Sequence, residues 1–423
     1  MRILVLSNYY PPFEVGGYEQ LCRDIANRLA ERGNIIAVLT SNRGVEKGNF
    51  PLEPFVYRLW QIQPVFDSKP GVIAQFFLTR NKIATQNRQI FQQIIREFRP
   101  DVVFIWNLQG LPHELTLDAE ALTGVAVVYW LAAYTPAEPD LFWRYWASSP
   151  GKRSYLQPIK TALGKLAIAQ MQREGKPVRP VMQHVAVVSD YMRRKGWQEG
   201  TLPAHAEVIY NGVETDLFFR PVPPPDTPPP MNFLLAGRVS EDKGIHIAVE
   251  AIGKLARSRP QRDFHLLLAG SGPETYLTRL QQLAADYQIT DLISFLGWLP
   301  REQMPALMHR SHVLILTSIY PEAFARVVLE GMAAGLAVVG TMTGGTGEIL
   351  RHDVTGLACA PDNSDDMVQQ MARILQEPML RYQLASRAQS IVLQQYTMNR
   401  MVDQIENLLE RAVAEQVFSR LAM

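Results

Sequence analysis

Two glutamates lie eight positions apart in the largely apolar stretch PEAFARVVLEG. The stretch predicts a loop that runs into a helix, with Glu322 near its start and Glu330 within the helix. After one more apolar strand come Gly344, Gly345 and Glu348. Burying a carboxylate costs free energy unless the carboxylate accepts hydrogen bonds. Two such groups beside loops of this kind predict a pocket for a ligand that is rich in hydroxyl groups.

The two glutamates allow three interpretations. They are solvated charges at the start of a helix, which acidic residues suit, or the acid and nucleophile of a glycoside hydrolase, or anchors that accept hydrogen bonds from sugar hydroxyls. Val327, Val328 and Leu329 directly precede Glu330, so a fully solvated role is disfavoured. No further pattern in the sequence supports hydrolysis.

A second candidate loop, GRVSEDKG, follows an apolar strand and contains Arg238 and Lys243. An arginine fork and a lysine point charge on one loop can converge on a single anion. The alternative is a solvated loop in which Arg238 pairs with Asp242, and an exposed pair of this kind contributes little to stability.

Glycines mark two more loops. Gly16 and Gly17 precede a helix that starts near Tyr18, and the positive end of a helix suits phosphate. The alternative is a turn that only joins a strand to a helix. The segment AGSGPE, residues 269–274, lacks the third glycine of a dinucleotide fingerprint, which disfavours an NAD site. This turn is better suited to lie under a nucleobase.

Composition sets broad limits on these sites. The chain has 423 residues, a net charge of +1, 20% charged and 47% hydrophobic residues, which predicts two ordinary globular domains and no nucleic-acid partner. Cys22 and Cys359 are far apart, so we expect no disulfide framework and a cytoplasmic location. No apolar run approaches the roughly 20 residues of a membrane-spanning helix.

Apolar strands alternate with helices along the chain, which predicts parallel sheets covered on both faces. The proline-rich segment RPVPPPDTPPP, residues 220–230, interrupts this alternation and predicts a stiff extended connection. Two doubly wound α/β domains joined near residues 212–230 follow, with ligands outside the carboxyl ends of the strands. The predicted strands are Ile3–Leu6, Ile35–Leu39, Val102–Ile105, Val125–Leu131, Val185–Val188, Phe233–Leu235, Phe264–Leu268, Ile293–Phe295, Val313–Leu316 and Leu336–Val339.

Taken together, these loops resemble the GT4 family of retaining glycosyltransferases, which have the GT-B fold. The motifs that carry the resemblance are YYPPFEVGGYEQ, VVSDYMR, VIYNGVETDLF, GRVSEDKG, the E-x7-E block and GGTGE. The resemblance implies two Rossmann-like domains with an interdomain cleft and a C-terminal crossover helix. Residues 1–212 would bind the acceptor, with the helix 398–423 packing back on them, and residues 213–397 would bind the nucleotide sugar.

The resemblance also implies roles for individual residues. Arg238 and Lys243 would hold the donor diphosphate, Glu322 would contact the sugar hydroxyls, and these three are the implied catalytic residues. Glu330 would accept the ribose hydroxyls. The remaining implied donor-binding residues are Gly16 and Gly17 over the diphosphate, the amides of Ala323, Phe324, Ala325 and Arg326, Gly237 in the loop of Arg238, and Gly270 and Leu299 near the base.

In the family, retention is described as a front-face process in which the departing phosphate assists deprotonation of the acceptor. The resemblance therefore implies neither a metal nor any cofactor besides the nucleotide sugar, which is a co-substrate. It also implies a place in bacterial cell-surface polysaccharide or glycolipid synthesis.

One departure from the family pattern lies after the strand Val125–Tyr129. Ala132 and Ala133 stand where many relatives carry a His-Asp pair, and Ala325 replaces a glycine that is common in the E-x7-E loop. The alternative to an active enzyme is therefore a catalytically impaired protein that binds nucleotide sugars.

The acceptor side is marked by a basic segment between Gly151 and Pro180, with seven basic residues and one acidic residue. Its apolar spacing predicts an amphipathic helix through Leu156, Ile159, Leu163, Leu166 and Met171. Such a helix either lies on an anionic membrane and reaches a lipid-linked acceptor, or packs on the first domain with a solvated basic face.

Overall fold

The computed structural model divides into two compact units. The first unit contains Met1–Val187, Arg193–Val208 and Val402–Met423, and the second contains Val188–Met192 and Ile209–Met401. The residues that the structure describes are 1–13, 16–45, 55–64, 69–132, 136–137, 141–147, 157–174 and 178–421.

The first unit is built on a seven-stranded sheet of order β3-β2-β1-β4-β5-β6-β7, in which every pairing is parallel. Its central strands are almost completely buried, as parallel sheets with both faces covered require. Sequence analysis predicted five of these strands and missed β3 and β7. The strands are β1 (Arg2–Ser7), β2 (Ile35–Ser41), β3 (Val56–Trp60), β4 (Val102–Asn107), β5 (Ala126–Leu131), β6 (His184–Val187) and β7 (Glu207–Val208).

The helices of the first unit connect successive strands. The first of them buries Leu21, Ile25 and Leu29, the spacing expected for one face of a helix. A π-helix at Gln75–Thr79 lies between the second and third helices. The helices are α1 (Gly17–Glu31), α2 (Lys69–Ala74), α3 (Arg80–Phe98), α4 (Glu114–Glu120), α5 (Leu141–Ala147) and α6 (Gln157–Glu174). A further helix, α7 (Asp190–Gln198), begins among the residues of the second unit and belongs to the first unit from Arg193 onwards.

The second unit has a six-stranded parallel sheet of order β10-β9-β8-β11-β12-β13. All five strands predicted after the proline segment are present, and the short last strand was missed. Both sheets thus have the strand order of a Rossmann-like domain. In each sheet, the order in which successive strands are added changes sides next to the first strand. The strands are β8 (Met231–Ala236), β9 (Phe264–Ala269), β10 (Ile293–Gly297), β11 (Val313–Leu316), β12 (Ala337–Thr341) and β13 (Leu357–Cys359).

Helices of the second unit pack against its sheet around one large apolar core. The last helix of the chain begins in this unit, and its residues from Val402 onwards belong to the first unit. There Arg32 contacts Glu406 at 2.8 Å and Asp403 at 2.7 Å. The helices are α8 (Thr215–Phe218), α9 (Ile245–Ser258), α10 (Glu274–Asp286), α11 (Met304–His309), α12 (Arg326–Ala333), α13 (Ser364–Gln376), α14 (Pro378–Gln395) and α15 (Met398–Leu421).

The proline-rich segment 220–230 forms neither helix nor strand, as predicted. It is held by α14: the fully buried guanidinium of Arg381 donates to the carbonyl oxygens of Pro223 at 3.4 Å and Pro224 at 2.6 Å. Gln389 donates to the carbonyl of Arg220 at 2.7 Å. Because proline has no amide hydrogen, this segment cannot form a regular backbone ladder. Its carbonyl oxygens therefore accept their hydrogen bonds from these side chains.

Helix α6 corrects part of the predicted amphipathic stripe. Ala167 and Met171 are buried and Leu163 packs beside them, whereas Leu166 is 62% exposed. The face that turns inwards instead packs Ala167 and Met171 against the cluster that contains Trp146. Leu156 and the side chain of Ile159 lie outside the described residues. Among the helices in the described part of the chain, none has the length and apolarity to cross a membrane.

Candidate functional site

In the second unit, the strand order reverses between β8 and β11, which pair in parallel. Ligands of open α/β sheets bind outside the carboxyl ends of the strands at such a point. The loops that leave these two strands contain Arg238 and Lys243 after β8, and Glu322 after β11. The topology therefore brings the two loops singled out in the sequence to one edge of the sheet.

Hydrogen bonds join these two loops directly. Thr317 Oγ1 donates to the carbonyl oxygen of Lys243 at 2.7 Å. The amides of Ile319 and Tyr320 donate to the carbonyl oxygen of Asp242 at 2.9 and 3.1 Å. Gly244 has a φ of +62°, and a Cβ added there would lie 2.3 Å from the carbonyl oxygen of Thr317. Only glycine permits this approach, and the loops therefore form one rigid surface.

The two charged groups of this surface contact each other. Lys243 Nζ donates to Oε1 of Glu322, and the side chains are 26% and 16% exposed. Ser318 Oγ donates to the same oxygen at 2.5 Å. Sequence analysis predicted roles for Lys243 and Glu322 but neither their contact nor the part of Ser318.

The GGTGE loop supports the backbone of Glu322 from the other side. The amide of Gly345 donates to the carbonyl oxygen of Glu322 at 2.8 Å. Gly344 has a φ of +61°, and a Cβ there would lie 2.1 Å from that carbonyl oxygen. Both the left-handed backbone and the close approach require glycine.

Helix α12 begins at this edge and carries Glu330. Ala325 precedes the helix in an extended conformation with no side-chain cap, so the first amides of the helix, which begins at Arg326, form its positive end. Arg326 and Glu330 form an ion pair at 3.7 Å, with side chains 14% and 15% exposed. A helix start next to two anchored carboxylates can bind an anion and hydroxyl groups side by side.

Phe324 is fixed between two tyrosines. Its ring centroid lies 5.2 Å from that of Tyr210 and 5.9 Å from that of Tyr396, and its carbonyl oxygen accepts a bond of 3.3 Å from Asn211. Burial raises the pKa of the Tyr210 hydroxyl, and its hydrogen bond to Glu348 raises it further. The aromatic packing therefore holds the backbone between Glu322 and α12.

Glu348 has a structural role that the sequence did not reveal. Its carboxylate accepts the amides of Asp190 at 3.1 Å and Tyr191 at 2.8 Å. These are the first amides of α7, so Glu348 caps that helix. The negative charge of its carboxylate also interacts favourably with the positive end of the helix.

Glycines end three neighbouring strands of the second unit. Gly237, Gly270 and Gly297 follow or close β8, β9 and β10 with φ values of +148°, +149° and +68°. A Cβ on Gly270 would lie 1.8 Å from the carbonyl oxygen of Gly237, whereas nothing lies within 4 Å of a Cβ added to Gly237 or Gly297. Leu299 follows, half-buried. This glycine edge leaves room for a flat group above the backbone.

Arg238 lies on the same loop as Lys243 but makes no close contact with Glu322 in the described part of the structure. Its side chain is 63% exposed and lies 3.6 Å from Asp242. The pair that sequence analysis weighed as the solvated alternative is therefore present. A pair this exposed is weak enough to yield the guanidinium to a stronger anion.

Two predicted positions lie in the first unit after β1. The amide of Gly16 donates to Glu19 at 3.0 Å at the start of α1. Among the described residues, no atom lies within 4 Å of a Cβ added to Gly16. Gly17 is the first residue of that helix.

Tyr18 of α1 lies at the carboxyl end of β5, next to Ala132, one of the two alanines that depart from the family pattern. Tyr18 donates its hydroxyl to the carbonyl oxygen of Trp106 at 2.6 Å, and the amide of Ala132 donates to that hydroxyl at 3.4 Å. The Tyr18 ring stacks on Trp106 at 5.2 Å, and burial raises the pKa of its hydroxyl well above the usual value. Ala133 lies outside the described residues.

Two family models match adjacent parts of the chain. The model described as Glycosyltransferase Family 4 matches residues 15–217, and that described as Glycosyl transferases group 1 matches residues 222–391. Together they include every donor-binding residue that the sequence predicted, from Gly16 to Glu330.

Curated relatives match over part of their length. The glycogen synthase of Mycobacterium tuberculosis strain H37Rv is 32% identical over 175 residues, 41% of this chain and 41% of the relative. The lipopolysaccharide 1,2-N-acetylglucosaminetransferase of Salmonella typhimurium is 30% identical over 235 residues, 51% of this chain and 59% of the relative. The chain thus spans well under two thirds of the length of these relatives.

Solved structures match over almost the whole chain. Sucrose-phosphate synthase from Thermosynechococcus elongatus has a TM-score of 0.72 at 18% identity and covers 98% of this chain and 99% of its own. Anabaena HepE, solved with UDP and glucose, has a TM-score of 0.67 at 20% identity, with coverages of 97% and 100%. The chain belongs to the GT4 family of glycosyltransferases and has the two Rossmann-like domains of the GT-B fold.

Proposed function

We propose that the protein is a cytoplasmic retaining glycosyltransferase that moves a sugar from a nucleotide-diphosphate sugar to a hydroxyl of a glycan or lipid-linked acceptor. The observation that carries this proposal is the Lys243–Glu322 pair at the reversal point of the second sheet, beside the start of α12. A cation, a carboxylate and a helix start on one rigid edge match a diphosphate joined to a polyhydroxylated ring.

Each site residue has a role in this proposal. Lys243 and the exposed Arg238 neutralise the diphosphate, with the amides of residues 323–326 beside it. Glu322 accepts hydrogen bonds from the sugar, and Glu330 accepts them from the ribose. The glycine edge of Gly237, Gly270 and Gly297 lies under the base next to Leu299.

The transfer breaks the bond between the anomeric carbon and the β-phosphate oxygen. The acceptor oxygen forms its bond to the anomeric carbon on the same face, and its proton passes to the departing phosphate. The products are the glycosylated acceptor and the nucleoside diphosphate. Charge accumulates on the leaving phosphate, so the main contribution of the protein is electrostatic stabilisation of that charge by Arg238, Lys243 and backbone amides. No step requires a metal.

The donor experiment uses a panel of UDP-, GDP- and ADP-glucose, with matching free nucleotides, read by thermal shift and by release of nucleoside diphosphate. We expect one nucleotide series to stabilise the protein and its sugar to be turned over equally well in EDTA. The product's anomeric configuration, measured by NMR, should equal that of the donor. Inversion, or a strict need for a divalent metal, contradicts the mechanism, and cleavage of unactivated glycosides would indicate a hydrolase instead.

A second candidate function is a nucleotide-sugar-binding protein without transferase activity. It is favoured by the carboxyl end of β5, where Ala132 offers no side-chain acid or base and the Tyr18 hydroxyl already bonds the Trp106 carbonyl. Stabilisation by a nucleotide sugar, without turnover under any acceptor mixture, supports this function over the first.

Peripheral contact with an anionic membrane is a further part of the proposal. Leu78 is 78% exposed and lies four residues before the exposed Lys82, and Leu166 is 62% exposed and directly follows the exposed Lys165. Apolar and cationic groups together suit an anionic surface, and a lipid-linked acceptor would be reached there. Co-sedimentation with anionic vesicles at low salt tests this contact, and the absence of binding removes it.

A further inference from the structure

Ser318 lies two residues after the end of β11, where three loops of the second unit meet. Its side chain is 1% exposed, and its hydroxyl donates to Oε1 of Glu322 at 2.5 Å. Its carbonyl oxygen accepts Thr341 Oγ1 at 2.7 Å and Thr343 Oγ1 at 3.3 Å, from the end of β12 and the loop that follows it. A buried serine held on both its backbone and its hydroxyl has a single orientation.

The two oxygens of Glu322 differ in their surroundings. Oε1 receives both Lys243 Nζ and Ser318 Oγ. Among the described residues, no donor bonds Oε2 of this carboxylate. A carboxylate accepts about two hydrogen bonds on each oxygen, so Oε1 is satisfied within the protein and Oε2 keeps its capacity for a ligand.

Two donors from different loops also fix the plane of the carboxylate. Lys243 alone would act as a flexible point charge on a long side chain, and it would permit the carboxylate to rotate about its own bond. The short, buried Ser318 side chain removes this freedom. The Glu322 side chain is therefore already ordered before a ligand binds. Binding then loses less conformational entropy, which favours affinity.

We propose that Ser318 is a positioning residue that directs Oε2 of Glu322 towards a hydroxyl of the donor sugar. This inference rests on the proposed function, because it assigns Ser318 a role in sugar recognition by the same site. It also limits that role: Ser318 acts only through Glu322, so its loss should affect the sugar part of the donor and not the nucleotide part.

The test is a double-mutant cycle between Ser318→Ala and Glu322→Ala, with binding measured for the nucleotide and nucleotide sugar that most stabilise the wild type. A hydrogen bond to a charged group corresponds to roughly a ten- to hundredfold change in affinity. We expect Ser318→Ala to weaken nucleotide-sugar binding by about this factor and free-nucleotide binding by less than about twofold. In the Glu322→Ala background, Ser318→Ala should have no further effect on sugar affinity.

Ser311→Ala is the matched control. Ser311 is also fully buried in the second unit, and its hydroxyl makes one bond of 2.8 Å to the carbonyl of Leu307. It should lose similar stability in urea without losing sugar affinity. If Ser318→Ala does not fold, Ser318→Cys keeps the size and weakens the donor, and the same cycle applies.

The outcomes separate the two proposals. If no nucleotide or nucleotide sugar binds the wild type, the proposed function fails and this inference with it. If the wild type binds and Ser318→Ala weakens the nucleotide sugar equally in the Glu322→Ala background, or weakens the free nucleotide as much as the sugar, only the role of Ser318 is refuted.

Discussion

Replacing Lys243 with methionine removes one charge from the candidate site and keeps most of the side-chain volume. The change leaves the Glu322 carboxylate with Ser318 as its remaining partner. Breaking a fully buried pair costs roughly 3–5 kcal/mol, and an exposed pair contributes about 0–1 kcal/mol. With side chains 26% and 16% exposed, Lys243 and Glu322 lie between these limits. We therefore expect a loss of about 2 kcal/mol, or about 4–8 °C in Tm for a domain of this size.

The catalytic effect should be larger than the effect on stability. If Lys243 neutralises charge on the leaving phosphate, its loss should lower kcat by roughly a hundred- to a thousandfold at saturating donor. The double variant Lys243→Met with Glu322→Gln has no unpaired charge, so it should regain most of the lost Tm and none of the activity. Thermal unfolding and nucleoside diphosphate release measure the two quantities on the same samples.

A control for this experiment exists on the surface of the same unit. Lys254 lies 2.6 Å from Asp365, which is 82% exposed. Lys254→Met should therefore cost less than about 1 kcal/mol and leave turnover unchanged. Recovery of activity together with stability in the Lys243–Glu322 double variant would show that Lys243 is only a partner for Glu322 and does not act on the leaving phosphate.

Three further predictions concern the same unit. Arg238→Ala should lower turnover on the order of a hundredfold without changing stability, because Arg238 is 63% exposed; a near wild-type rate at saturating donor would remove Arg238 from the diphosphate. Gly270→Ala should destabilise far more than Gly297→Ala in urea, because its Cβ would meet the Gly237 carbonyl oxygen at 1.8 Å whereas Gly297 has open space; equal losses would show that the backbone is free to shift. Burial, followed by the charges of Arg381 and Arg220, lowers the pKa of His312 to about 4 from 6.5. The unfolded chain thus binds this proton first, and stability should fall by about 3 kcal/mol as the pH drops from 6.5 through 4. The His312→Asn variant should lack this decrease. If the variant lost as much stability as the wild type over this pH range, His312 would not be its source.

The sequence predicted the buried strands well because their residues are apolar on both faces. Short strands at or near a sheet edge escaped prediction. Val56–Trp60 contains an arginine, and Leu357–Cys359 has only three residues, so neither forms the continuous apolar run of a central strand. In α6, spacing alone placed Leu166 on the buried face, because it did not distinguish this stripe from the one through Leu163, Ala167 and Met171, which is the stripe that packs inwards.

At the candidate site, residue types were predictable and their pairings were not. Lys243 and Glu322 are 79 positions apart, and nothing in their local sequence indicates that one meets the other. Ser318 is a common residue at the end of a strand; its position four residues before Glu322 is the only sequence signal of their contact. Tyr18 was used only to mark the start of a helix, because its contact with Ala132 depends on how β5 and α1 pack.

The helix cap that Glu348 provides affects how domains can be exchanged between proteins of this family. Although the two family models meet between residues 217 and 222, Val188–Met192 group with the second unit. A chain that begins at Ile209 would therefore lack the amides of Asp190 and Tyr191 that Glu348 accepts. Recombination at the family-model border therefore moves Glu348 with its domain but leaves behind the helix start that it caps, and a productive chimera must carry residues 188–192 together with that domain.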